Sequence, residues 1–313
     1  MAEPVFDKIA IIGIGLLGAS IGHAVKAFGG AGEVALYDRG EGVRARAATI
    51  VPGTVCGEIA SAVTDADAVF LCTPVGVAGE VTAQVAPHMK PGAILTDVGS
   101  VKGAPAAAMI AAAGQSVQVI PGHPIAGTEK SGPEAGFASL FQDAWHILTP
   151  SDNQDVGYLE AVANLTLFWE TLGSRVETMD AARHDRVLAI TSHLPHLIAY
   201  NIVSTAYDME SVEDGEVVKY SAGGFRDFTR IAASDPVMWR DVFLANKDAV
   251  LETLGRFSED LAVLQRAIRW GDGDTLMREF TRARGIRKAI IDAGLDTAEA
   301  DFGRRHSEPK DEK

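Results

Sequence analysis

Cysteine is almost missing from this chain: Cys56 and Cys72 are the only two among 313 residues, and they stand in unlike local settings. So few thiols exclude a disulfide framework and fit a reducing compartment. Basic charge is also short, with 28 Lys and Arg against 42 Asp and Glu and a formal net charge of -14. A nucleic-acid partner would need a basic footprint, so none is expected. No apolar run approaches the ~20 residues that cross a bilayer, so no membrane partner is expected. The first ten residues, MAEPVFDKIA, lack a basic n-region, so no secretory signal is expected and a cytoplasmic location follows. Internal repeats and low-complexity blocks are absent from the body of the chain. The shortage of cations has one positive consequence. A global negative field repels an anionic ligand, so such a ligand must be held by a few locally focused arginines.

What is present is a full complement of core residues, 47% hydrophobic over a length that suits two domains. Short apolar strands alternate with helical stretches in the first part. Strands are expected at Lys8–Ile12, Glu33–Tyr37, Ala68–Cys72, Ala93–Thr96, Val117–Ile120, Trp145–Leu148 and Arg175–Met179, and helices at Leu17–Ala27, Val77–Val85, Val101–Ala113 and Gly157–Leu172. Such alternation predicts an α/β, Rossmann-type doubly wound and mostly parallel sheet. After Asp180 the apolar period becomes helical, over Ala181–Tyr207, Pro236–Ile268 and Thr275–Ala293. The reading is a dinucleotide-binding domain over 1–178, an all-α substrate and dimerisation domain over 179–300, and a charged, disordered tail over 301–313.

Residues 9–20, IAIIGIGLLGAS, run an apolar strand into Gly13-x-Gly15-x-x-Gly18 and then a helix. Gly13 permits the tight turn, Gly15 the approach of backbone to a pyrophosphate, and Gly18 close packing of helix on strand. Leu16 and Leu17 open the helix whose N-terminus faces the phosphates. Asp38 ends the next strand, where a carboxylate accepts from a ribose 2′-hydroxyl and repels a 2′-phosphate. NAD is therefore expected over NADP, although Arg39 beside it can pair with a 2′-phosphate. Thr73, Pro74 and Ser100 follow the ends of later strands, where ligands of such sheets sit, and are candidates for the nicotinamide wall.

Downstream, Gly122–Gly132 reads GHPIAGTEKSG, a mixture of glycine and polar side chains that no packed core needs. It suits a polar small molecule. The helix beginning at Ala181 carries His184, His193 and His196; Ser192 and His196 stand four apart on one face, and Pro195 should kink the helix and free backbone groups there.

Taken together, IGIGLLGAS, DVGSVKG, GHPIAGTEKSG, HDRVLAITSHLPH and GGFRDFTRIAASDPVMWRD resemble the prephenate dehydrogenase family, with its cyclohexadienyl and arogenate relatives, over roughly residues 8–290. The resemblance implies NAD(P)-dependent oxidative decarboxylation of prephenate to 4-hydroxyphenylpyruvate in tyrosine synthesis, on a Rossmann domain followed by a helical domain that forms a homodimer. No metal is implied. A base beside the substrate hydroxyl suits that chemistry, and the resemblance assigns it to His123, with Ser100 sharing hydrogen bonds with this histidine and the hydroxyl. It assigns Arg230 to the side-chain carboxylate, for which a guanidinium fork is suited. Phe228 and Ile231 on either side suggest that Arg230 is partly enclosed; Arg226 is a weaker candidate. The resemblance places His196 on the substrate with Ser192 on the same wall. His193 is the weaker histidine, and His184 with Asp185 reads as structural or as part of a domain interface. His23, His88, His146 and His306 read as surface or packing residues.

Thr128 and Glu129 follow the loop histidine. Glu129 is odd beside an anionic substrate, and two readings stand. It pairs with Lys130 or an arginine to gate the pocket, or it meets the amino group of arogenate. Trp239 either closes the pocket from the dimer side or is a core residue. Two alternatives remain open. One is another hydroxy-acid dehydrogenase of similar build, although the lysine usual on the second domain's first helix is missing from Ala181–Tyr207. The other is a regulatory protein that binds NAD without turnover.

Overall fold

A computed structural model describes residues 3–210 and 223–292. The expected tail over 301–313, with His306, lies outside the described residues. The chain divides into two compact units, 1–253 and 254–313.

In the first unit the strands β1 (Phe6–Ile12), β2 (Ala31–Tyr37), β3 (Thr54–Val55), β4 (Ala68–Leu71), β5 (Ile94–Asp97) and β6 (Gln118–Val119) form a six-stranded sheet in the order β3-β2-β1-β4-β5-β6, parallel throughout. Between them run α1 (Leu16–Phe28), α2 (Glu41–Ile50), α3 (Ile59–Val63), α4 (Ala78–Val85) and α5 (Gly103–Ala113). The two-residue period of β1 feeds both faces of the sheet. Ile9 and Ile11 enter one core with Phe70, Leu165, Phe168 and Trp169, while Ala10 and Ile12 enter the other with Val69, Leu71, Leu95 and Met109. All of these are buried, so the sheet is covered on both sides, as parallel sheets require.

The single sheet expected from the sequence is in fact two. Strands β7 (Gly122–Pro124), β8 (Trp145–Leu148) and β9 (Arg175–Thr178) make a separate three-stranded sheet, with β7 antiparallel to β8 and β8 parallel to β9. Helix α6 (Val156–Thr171) precedes β9. Strand β7 contains His123, in register with Ile147. The chain just beyond the polar loop is seated on α1: the Phe137 amide donates to Ser20 Oγ at 3.2 Å, and a Cβ on Gly136 would lie 2.5 Å from that of Ala19.

The expected helix over Ala181–Tyr207 is built in three pieces. It comprises α7 (Ala181–Leu188), one π-helical turn over Ala189–His193, and α8 (Leu194–Glu210). The π turn, closed by the Leu194 amide on the Ala189 carbonyl, sits just before Pro195. A proline ring collides with the carbonyl four residues back, and the wider turn makes room for it. By length and composition Ala181–Met209 passes for a membrane span, contrary to the expectation that no run would. Its His184, Asp185 and His193 are nevertheless buried against other parts of the same unit. A short helix α9 (Gly223–Thr229) follows. The helix expected over Pro236–Ile268 is broken at Asn246 into α10 (Pro236–Ala245) and α11 (Lys247–Trp270). In the second unit the described residues are the later part of α11 and α12 (Gly273–Asp292).

Two glycines of the fingerprint are fixed by sterics. Gly13 has φ +100°, where a side chain is strained, and a Cβ there would stand 2.6 Å from the Cys72 carbonyl oxygen. A Cβ on Gly18 would stand 2.1 Å from the Gly13 carbonyl oxygen. Gly18→Ala should therefore push α1 off β1 and destabilise the fold by about 1–3 kcal/mol. Denaturant unfolding reads this directly, and unchanged stability with unchanged NAD affinity would contradict the packing described.

Candidate active site

The nucleotide end is assembled where β1 and β4 stop. Gly15 caps α1 without a side-chain hydrogen bond, and nothing lies within 4 Å of where its Cβ would be. The first turn of α1, with Leu16 and Leu17, thus has no side-chain cap on its amides, which suits a pyrophosphate. Asp38 Oδ2 accepts from the Ile14 amide at 2.9 Å and Oδ1 from the Gly40 amide at 2.8 Å, which orients its carboxylate beside the fingerprint. Arg39 is exposed. Arg44, not among the candidates from sequence, donates to the Asp38 carbonyl at 2.7 Å and lies over the Tyr37 ring. Thr73 Oγ1 is buried without a partner at the end of β4, while Pro74 is exposed. An orphaned hydroxyl, an uncapped helix end and an oriented carboxylate fit a dinucleotide.

At the neighbouring strand end lies a charge cluster that composition did not reveal. Lys102 is fully buried; its ammonium pairs with Asp97 Oδ2 and donates to the Gly122 carbonyl at 2.6 Å. The Gly122 amide donates back to Asp97 Oδ1 at 3.2 Å. This buried pair fastens β7, and so His123, to the end of β5. Burial pulls Lys102 below the ordinary lysine value, while Asp97 and Asp185 favour its charged form. A lysine is rarely buried without a partner, so sequence alone gave no signal beyond its place in DVGSVKG.

His123 is buried, with 8% of its surface exposed, and its Nδ1 lies 2.9 Å from His184 Nε2. His184 Nδ1 lies 2.8 Å from Asp185 Oδ1. Asp185 in turn accepts from the Lys102 and Gly103 amides, each at 2.8 Å, at the start of α5. Burial by itself raises Asp185; the hydrogen bonds from His184 and the two amides outweigh it and hold the carboxyl below its usual range. Burial pushes His123 well below its ordinary value, reinforced by His184, Lys102, His146 and His193. Its imidazole is therefore neutral at neutral pH, with Nε2 left for another partner.

Other sequence candidates fall into place unevenly. Ser100 is half-buried, but its hydroxyl makes no hydrogen bond to His123, whose Nδ1 is taken by His184. His193, the weaker candidate, is fully buried and accepts from Asn246 Nδ2 at 3.0 Å; the same Nδ2 donates to the Asp185 carbonyl at 2.9 Å. Since an amide nitrogen only donates, His193 carries its proton on Nε2. His196 Nδ1 donates to the Ser192 carbonyl at 2.9 Å, one turn back on the same helix. Its ring stacks on Trp239 at 3.7 Å. Burial lowers His196, the Ser192 carbonyl opposes that, and the charge of Arg230 lowers it further. Trp239 is buried with Val75, Val101 and Val242, as a wall behind His196.

Arg230 pairs with Glu129 at 2.9 Å, joining the polar loop to the turn after α9. Contrary to the enclosure suggested by Phe228 and Ile231, its side chain is 52% exposed. Of the two partners proposed for Glu129, the structure joins it to an arginine. Thr128 is exposed and accepts from the Lys130 amide at 3.2 Å, and Arg226 is exposed. His146 is fully buried and stacked on Trp169, with neither ring nitrogen partnered.

A Rossmann sheet, a dinucleotide crevice at its switch point and a neutral histidine beside it define a nicotinamide-dependent dehydrogenase with a helical second region. Comparison with known proteins narrows the class. Residues 21–178 match the family described as "Prephenate dehydrogenase, nucleotide-binding domain", and residues 180–282 its "dimerization domain". A cyclohexadienyl dehydrogenase of Zymomonas mobilis is 43% identical, over 91% of this chain and 97% of that one. The crystal structure of prephenate dehydrogenase from A. aeolicus, in complex with hydroxyphenyl propionate and NAD+, superposes with a TM-score of 0.82 at 33% identity, covering 91% of this chain and 98% of that one. Synechocystis arogenate dehydrogenase gives a TM-score of 0.73 at 26% identity, over 90% and 99%. This chain belongs to the prephenate dehydrogenase family.

The buried imidazoles set an acid limit. Burial lowers His193 from 6.5 to about 4. Between those pH values the unfolded chain binds a proton there that the folded chain refuses. Stability is complete above about pH 6.5 and falls as pH drops toward about 4, by about 3 kcal/mol from this residue. His123 and His146 press the same way. Unfolding measured at pH 7 and pH 5 should show a smaller difference for His193→Gln than for the unaltered chain; equal differences would remove His193 from the account.

Proposed function

We propose that this chain is the NAD-dependent dehydrogenase that converts prephenate to 4-hydroxyphenylpyruvate and CO2 in tyrosine biosynthesis, with His123 as its base. One observation carries the assignment of the base: His123 is neutral, and its Nδ1 is occupied by His184, so Nε2 is the nitrogen available to a ligand. Bound NAD accepts the hydride from C4 of the substrate ring. His123 Nε2 takes the proton from the C4 hydroxyl as the ring carboxylate leaves and the ring becomes aromatic. Ser100, on the loop after β5, donates to the same hydroxyl. Gly13, Gly15, Leu16, Leu17, Gly18, Asp38, Thr73 and Pro74 hold the dinucleotide, and the Asp38 carboxylate favours NAD.

Arg230 binds the side-chain carboxylate. Its exposure and its pairing with Glu129 support a switch in which the substrate carboxylate takes the place of the Glu129 carboxylate. Glu129 beside Arg230 also makes a site of both signs, suited to the amino acid side chain of arogenate, with its carboxylate and its ammonium. Ser192, His196 and Trp239 form the remaining wall and Thr128 the loop side. The helical region from residue 179 onward forms the dimer. Large apolar side chains there are open to solvent, including Leu261, Ile268, Trp270, Met277, Phe280 and Ile286, each more than half exposed. A second copy would cover them. The cytoplasm is the compartment that suits two free cysteines.

His123→Asn should lower kcat on the order of 10²-fold or more while NAD binding holds. Stopped-flow NADH formation tests it, and turnover close to that of the unaltered enzyme would sink the assignment. Arg230→Gln should raise KM for prephenate and arogenate alike. Glu129→Gln should raise it for arogenate only; an equal effect on both substrates would deny Glu129 contact with the ammonium.

A further inference from the structure

His184 and Asp185, structural or interfacial by sequence, lie directly behind the base. The donors and acceptors follow from the fixed carboxylate at one end of the series. Asp185 is ionised and can only accept, so His184 Nδ1 must carry a proton and donate it. With that single ring proton, His184 has its lone pair on Nε2, 2.9 Å from His123 Nδ1. His123 Nδ1 must therefore carry a proton, and the His123 lone pair is on Nε2. The start of α5 anchors the series, because the Lys102 and Gly103 amides hold the Asp185 carboxylate in place.

We propose that His184 and Asp185 form a relay behind His123: they hold it in the tautomer that is basic at Nε2, and His184 takes the Nδ1 proton as Nε2 receives the proton of the substrate hydroxyl. This rests on the assignment of His123 as the base. The step balances. The substrate O–H bond breaks and an N–H bond forms at His123 Nε2. The His123 Nδ1–H bond breaks and one forms at His184 Nε2. His184 becomes an imidazolium paired with Asp185, and His123 stays neutral. After product leaves, both transfers reverse and the proton reaches water through His123 Nε2.

The surroundings favour the charge on His184. Around His123 stand Lys102 from the start of α5, His146 from β8 and His193 from the π turn, and each disfavours a second positive charge. Lys102 itself is paired with Asp97 at the end of β5. His184 has a carboxylate at 2.8 Å, and Asn246 binds the Asp185 carbonyl from beyond the end of α10. A full positive charge is stabilised most by the nearest fixed negative one. In this scheme His184 is a positioning residue and proton acceptor that never touches substrate.

Two substitutions separate this from a packing role. His184→Gln retains an oxygen that accepts from His123 Nδ1 but holds no mobile proton; His184→Leu retains neither. Single-turnover rates are measured across pH and in H2O–D2O mixtures, with NAD binding and melting temperature as checks of folding. The unaltered enzyme should give a curved proton inventory, with two protons in motion. His184→Gln should give a linear one, about tenfold slower, and His184→Leu should be slower again by a similar factor. In a His123→Asn background, His184→Gln should cost nothing further. A linear inventory in the unaltered enzyme, or the same curvature in His184→Gln, would overturn the relay. So would equal rates for Gln and Leu, or full additivity with His123→Asn. Near-normal turnover by His123→Asn alone would instead remove the base assignment on which the relay rests.

Discussion

The Asp185 carboxylate on the first amides of α5 is the contact on which the rest of the site depends. It is a charge-assisted pair of hydrogen bonds between the helical region and the nucleotide-binding sheet, made at a helix N-terminus where such bonds are strongest. It fixes where α7 begins relative to β5. Because α7 also carries His184, the same contact sets where that imidazole stands behind His123. Asn246 adds a second tie, from the break between α10 and α11 to the Asp185 carbonyl and His193. Fold and chemistry are joined here by one anion that is never free to move.

The cations follow a related rule. In a chain of net charge -14, the two cations identified at the site are each matched to a carboxylate in different surroundings. Lys102 is sealed with Asp97, where removal of either partner would strand a buried charge. Arg230 is paired with Glu129 where both reach solvent, so that pair can open at small cost. The buried pair holds β7 in place, and the exposed one is free to open.

Much of the α/β region was legible, because β1, β2, β4 and β5 are apolar runs broken by helix-period segments. Strands β3 and β7, of two and three residues, are too short to produce an alternation. The separate sheet of β7, β8 and β9 was hidden for the same reason, since apolar strands look alike whichever sheet they join. The break at Asn246 was hidden too: the apolar period runs on through it, and only the partners of its side chain explain the stop. Within the site, His123, Glu129, His196 and Arg230 stood out by motif. Lys102 and Asp97 did not, because a charged residue in a loop reads as solvated until its partner is seen.

From the order of residues alone came what neighbouring positions can encode: the glycines that let backbone approach backbone, the carboxylate ending β2, the polar loop after His123, and the histidines of the first long helix. Only tertiary structure could decide which of those histidines meet. His123 and His184 are 61 positions apart, and Lys102 and Asp185 are 83. The charge and tautomer of an imidazole depend on what lies within about 3 Å of it, and no local pattern in a chain specifies distances across such gaps.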